Sequence, residues 1–131
     1  MSQNVEVARR ILRAFNDGDV EAIVAECDPD VEWEEQAIAG VDRLYHGHDG
    51  VRRWADIIGQ GLSPLEAHEE AVEEADDSVI ALLRVEGEGT SSGVRVEMRV
   101  YLVATFRDGK LLRRQVFQTR AEALEAVGLR E

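Results

Sequence analysis

Val31-Glu32-Trp33-Glu34-Glu35 is the stretch that decides the fold of this chain. Alternation puts Val31, Trp33 and Glu35 on one face of a strand and Glu32 and Glu34 on the other. A carboxylate therefore shares a face with a Trp and a Val, on a strand that follows two short amphipathic helices and precedes a third. A charge in that position is either a catalytic base or a group tolerated at a pocket rim.

Upstream, Val5, Ala8, Ile11, Leu12 and Phe15 recur at spacings of three and four, which predicts a helix from about Asn4 to Asn16 ended by Asp17-Gly18. Asp19 caps a second short helix whose apolar stripe is Val20, Ile23, Val24 and Cys27. Asp28-Pro29-Asp30 stops it. Downstream, the connection from Gln36 to Gly47 is long enough for a pocket flap. A third helix starts near Asp49 and turns Val51, Trp54, Ile57 and Ile58 inward, until Gly59, Gly61 and Ser63-Pro64 end it.

Leu65 to Asp77 sets two signals against each other. Its glutamates favour helix, whereas Leu65, Ala67, Ala71 and Ala75 alternate as in a strand. A sparsely covered edge strand is the reading adopted. Ser78–Glu86, Val94–Phe106 and Lys110–Thr119 then form an antiparallel meander with a flexible loop at Gly87–Gly93 and a tight turn at Asp108-Gly109. Ala121–Val127 is a short terminal helix. Early helices followed by a meander define an α+β layer fold with one sheet face covered.

At 131 residues the chain is expected to form one domain, 1–131. Its net charge of −12 opposes a phosphate backbone, so no nucleic-acid partner is expected. No apolar run reaches membrane-spanning length, and the N-terminus lacks the pattern of a signal peptide, so a cytoplasmic location is expected. The single cysteine, Cys27, reads as buried filler. No phosphate loop, dinucleotide fingerprint or Ser-His-Asp set appears, and no cofactor is expected. His46 and His48 lack a third ligand at suitable spacing, so no metal is expected, and His48 is placed on the free amides that open the third helix. His68, among glutamates, belongs to a solvated face.

Five segments carry a family resemblance: Phe15-Asn16-Asp17-Gly18-Asp19, Asp28 to Trp33, Tyr45 to Val51, Phe106 to Lys110, and Ala123 to Leu129. Together they resemble the nuclear transport factor 2-like superfamily, and most of all its SnoaL-like branch, related to ketosteroid isomerases and limonene epoxide hydrolases. The resemblance implies a curved, largely antiparallel (mixed) sheet wrapped around three N-terminal helices, a cystatin-like cone with a pocket inside. The isomerases' catalytic carboxylate then falls on Glu35, their oxyanion-hole Tyr on Ile11, and their protonated Asp on Leu102. Both donors are thus aliphatic here, which argues against steroid-type enolisation. The epoxide hydrolases' acidic residue falls near Val116.

By alternation and resemblance together, Ile11, Phe15, Cys27, Trp33 and Trp54 face the cavity. So do Met98, Val100 and Leu102 from one strand, and Leu112, Arg114, Val116 and Gln118 from the last. Glu35, Arg114 and Gln118 are its polar groups, a composition suited to a small, mostly apolar organic molecule. Glu35 has two readings, a general base or the partner of Arg114 in a structural ion pair. Val79, Ala81, Leu83 and Val85 alternate with equally apolar Ile80 and Leu82, so the outer face needs a second cover. With Arg95, Glu97, Arg99, Tyr101 and Val103, that face resembles the family's dimer interface, and a homodimer is expected.

Overall fold

A computed structural model describes residues 2–35 and 43–128. Of the expected Gln36–Gly47 connection, residues 36–42 lie outside the described residues. The elements are α1 (Gln3–Asn16), α2 (Val20–Ala25), β1 (Cys27–Glu34), β2 (Leu44–His46), α3 (Gly47–Gly61), β3 (Leu62–Ala75), β4 (Ser78–Gly89), β5 (Arg95–Arg107), β6 (Lys110–Phe117) and α4 (Arg120–Ala126). The strands form one sheet in the order β2-β1-β6-β5-β4-β3. Only β1 and β6 run parallel among the described pairs, so the sheet is mixed.

Local chemistry sets the helix ends. The Ser2 hydroxyl accepts from the Val5 amide at 3.2 Å, and the Asp19 carboxylate from that of Ala22 at 3.1 Å. Thr119 and Glu122 form a reciprocal capping box on α4. Valines 5, 7 and 51, Ile23 and Trp54 pack with Val31, Trp33, Val79 and Phe106 into the main core between the three N-terminal helices and the concave sheet face. Gly50 lets α3 sit on β2, since a Cβ there would lie 2.9 Å from the Tyr45 carbonyl carbon.

β3 is a strand along its whole length, and the reason lies in its partners. Its glutamates find arginines across space rather than along a helix: Arg9 holds Glu69, Arg84 and Arg99 hold Glu70, and Arg120 holds Glu73. The edge of the strand is held by α1. Asn16 donates from Nδ2 to the Ala67 carbonyl at 2.8 Å and accepts from the Ala67 amide at 2.8 Å, standing in for a missing neighbouring strand. Asn16→Ala should lower stability by about 1–3 kcal/mol, because both backbone groups of buried Ala67 lose their partner. Denaturant titration would measure the change, and an unaltered midpoint would contradict the clasp.

Three local expectations need correction. Cys27 opens β1 instead of closing α2, because α2 stops at Ala25. Gly87 lies inside β4 and not in the loop; a Cβ there would meet Leu65 Cδ1 at 2.9 Å, so close strand packing explains the glycine. On β6 the register shifts across Leu112, since Leu111 pairs with Phe106 but Arg113 with Thr105. This bulge places Leu111, not Leu112, on the same face as Arg114.

The outer sheet face has a partial cover of its own. Ala123 and Leu124 of α4 bury Ile80 and Val103, with Tyr101, Phe117 and Val127 packed around them. Among the described residues no helix is long and apolar enough to cross a membrane.

Candidate functional site

The helices and the concave sheet face enclose a cavity of about 270 Å³. Ile11 and Phe15 of α1, Trp54 of α3, and Met98, Leu102 and Val116 of β5 and β6 line it. Val79, Ala81, Leu83 and Val85 of β4 add an aliphatic wall, which sequence alternation assigns to one face without saying which. Against this apolar surface stand the ionisable lining residues Glu35, Glu69 and Arg114. Glu69 is engaged by Arg9 at 2.9 Å.

Gln118 does not join them: it is exposed, beyond the end of β6. Cys27 is buried behind the wall, where its thiol donates to the Ile23 carbonyl at 3.3 Å. Burial, reinforced by Glu26 and opposed by Lys110, pushes that thiol up to about 12. A neutral thiol is a poor nucleophile, in keeping with a packing role.

Glu35 and Arg114 meet in the cavity wall beside the two tryptophans. Arg114 Nη1 donates to Glu35 Oε2 at 3.2 Å and to the Glu34 carbonyl at 2.7 Å. Trp54 Nε1 donates to the same Oε2 at 2.8 Å. The guanidinium carbon lies 4.8 Å from the centroid of the Trp33 ring and 5.1 Å from that of Trp54, and those rings pack at 4.8 Å. Such cation–π contacts contribute about 0.5–2 kcal/mol each in desolvated settings. The pair is well shielded, with side chains only 12% and 10% exposed. Burial lowers the Arg114 pKa, and the Glu35 carboxylate opposes that drop.

The order of the site along the chain explains its assembly. β1 runs parallel to β6, setting Trp33 opposite Arg114, so the residue after the strand end, Glu35, reaches the same guanidinium. Glu32 and Glu34 face outward, where Arg113 binds Glu34 at 2.7 Å. The sequence places Trp33 and Trp54 on the wall but does not show that both lie against Arg114. The signal lay in pairing, which periodicity does not carry.

The histidines play other parts. His48 donates from Nε2 to the Cys27 carbonyl at 2.9 Å and does not cap α3. It ties the start of α3 to β1. His68 lies beside Glu66 and Glu86 on the outer face, the three offering ligand atoms within 4.8 Å of one another. These are solvent-accessible side chains with other partners at hand, His68 lying 3.4 Å from Glu66 and Glu86 pairing with Arg84. A second, groove-like hollow of about 390 Å³ adjoins the cavity, and Phe15, Trp54, Ile58 and Leu65 line both.

A cone of helices on a curved mixed sheet, with its pocket inside, is the fold of ketosteroid isomerase-like and cystatin-like proteins. The SnoaL-like domain profile matches residues 8–114, and the chain belongs to that family. TerC, co-crystallised with polyporic acid, is 23% identical with a TM-score of 0.82, over 97% of this chain and 99% of its own. An NTF2-like protein of unknown function from Burkholderia pseudomallei is 20% identical with a TM-score of 0.84, over 97% and 98%. A putative SnoaL-like polyketide cyclase from Jannaschia sp. is 19% identical with a TM-score of 0.78, over 95% and 91%. At these identities the likeness is one of fold. Comparison with functionally curated proteins gave no match.

Proposed function

We propose that this protein binds a small, predominantly apolar organic molecule inside the cone, with Glu35 as the group that exchanges a proton with it. The cavity carries the proposal: an aliphatic and aromatic enclosure with one buried ion pair at its floor is built for orientation of an organic ligand, not for water. Steroid-type enolisation is no part of it, because Ile11 and Leu102 offer no hydrogen-bond donor to an oxyanion. Both tryptophans of the chain line the cavity, so their emission reports its occupant directly. Titration with the neutral dye N-phenyl-1-naphthylamine should quench that emission and raise the dye's own, saturably. An Ala81→Phe variant, which fills the same space, should abolish both changes. Binding undiminished in that variant would place the dye elsewhere and contradict the proposal.

A second reading, binding without catalysis, is favoured by one observation: Oε2 of Glu35 already accepts from Trp54 and Arg114. In that reading Glu35 fixes the arginine and takes no proton. Glu35→Gln separates the two, since an amide cannot act as the base.

We also propose that two copies associate through the outer sheet face in the cytoplasm. Since α4 already covers Ile80 and Val103, the association would rest on half-buried Leu82 and the charged ladder of Arg84, Arg99 and Glu70. Sedimentation at micromolar concentration should give a dimer. Monomer alone would contradict it.

A further inference from the structure

From the bonding of Arg114, we infer that the cone's ligand carries a carboxylate or a similarly delocalised two-oxygen anion, received by the unused edge of that guanidinium. The inference rests on the binding proposal above and adds the chemical class of the ligand.

Arginine presents its donors on edges, and the Nε/Nη2 edge matches a carboxylate with two parallel N–H bonds. In this protein both hydrogen bonds of Arg114 run through Nη1, to the Glu34 carbonyl and to Glu35. Trp33 and Trp54 pack together beside the guanidinium, their centroids 4.8 and 5.1 Å from its carbon and 4.8 Å from each other. Among the described residues, Nε and Nη2 take no protein acceptor. Nor is that edge sealed, because the Trp33 indole nitrogen is the sole sealed side-chain polar atom without a partner among those residues. Arg114 lines the cavity, and the open edge is therefore available to a molecule within it.

The Trp33 indole N–H also lacks an acceptor, but it is sealed within the wall on a side chain only 3% exposed, so it offers the ligand no contact. The Nε/Nη2 edge of Arg114 thus stands open in the wall of a mostly apolar chamber. The other lining carboxylates do not compete for the open edge: Glu69 is held by Arg9, and Glu35 meets the arginine at Nη1. A neutral ligand would leave a charged, desolvated edge without partners, which is costly. A delocalised anion satisfies it bidentately.

Adamantane-1-carboxylate and its neutral analogue adamantane-1-carboxamide are suitable probes, being compact, apolar and transparent where tryptophan emits. At about pH 8, where the acid is ionised, each is titrated against the wild type by tryptophan emission. The carboxylate should bind about tenfold or more tighter than the carboxamide, the advantage of a charge-assisted pair. The double variant Glu35→Gln/Arg114→Met removes both charges and leaves neither alone, and it should bring the two probes to similar affinities. Arg114→Lys, which keeps a charge without the fork, should reduce the preference several-fold, and it decides the matter if the double variant does not fold. Equal affinity for the two probes in the wild type overturns this inference and leaves the binding proposal standing. Emission unmoved by either probe overturns both.

Discussion

Replacing Glu35 by glutamine should lower the stability of the fold by about 3–5 kcal/mol, the usual cost of leaving one member of a buried ion pair alone. Both side chains are almost nine-tenths shielded or better, at 12% and 10% exposure, so solvent screens the pair little. The amide oxygen of the new side chain can still accept from Trp54 Nε1, but it brings no charge to Arg114. For a chain of this length the thermal midpoint should fall by on the order of 10 °C or more. The same variant should lack any proton-transfer activity of the wild type. An unchanged or raised midpoint would mean that Arg114 does not depend on this carboxylate, and that the cost of burying the Glu35 charge outweighs its pairing.

Trp54→Ala should be as damaging, at about 3–5 kcal/mol. Trp54 is 3% exposed, packs at a tilt against Trp33 at 4.8 Å and Phe15 at 5.9 Å, and donates to Glu35. Truncation removes the ring contacts, opens a void continuous with the cavity and strips the carboxylate of one of its donors. Trp54→Phe restores a ring but no N–H, and should cost only about 1–2 kcal/mol. Equilibrium unfolding in urea distinguishes the two, and equal losses would show that the hydrogen bond, not the ring packing, dominates at this position.

Much of this architecture is legible in the sequence. Period-two alternation places Val31 and Trp33 inside and Glu32 and Glu34 outside, and period 3.6 gives α1 and α3 their inner faces. In β3 the helix propensity of glutamate is outweighed because Leu65 and Ala67 face the cavity and the glutamates reach arginines on other elements. A shift of register between Glu69 and Ala71 nevertheless breaks the expected alternation, leaving Ala71 exposed and turning Val72 to the core. What escaped the sequence depends on contacts between distant segments. The shift of register at Leu112 moves Leu111 inward, and no local pattern announces a bulge. The three residues of β2 were hidden in the long connection, being too few to show a period. Gln118 was assigned to the cavity by extending an alternation past the point where the strand ends. Asn16 looked like a helix-end residue, yet its amide completes a sheet edge 51 positions away. Arg114 reads in the sequence as one polar residue in an apolar strand face; its contact with two adjacent tryptophans arises only when β1 and β6 lie side by side.

Occupancy of the cone by an organic molecule is tested most directly by a crystal structure of the protein grown with N-phenyl-1-naphthylamine. The account predicts density for the dye inside the 270 Å³ cavity, against the β4 wall of Ala81 and Leu83 and the rings of Trp33 and Trp54. A cavity closed by its own side chains, with the dye absent or bound only on the outer surface, would contradict it.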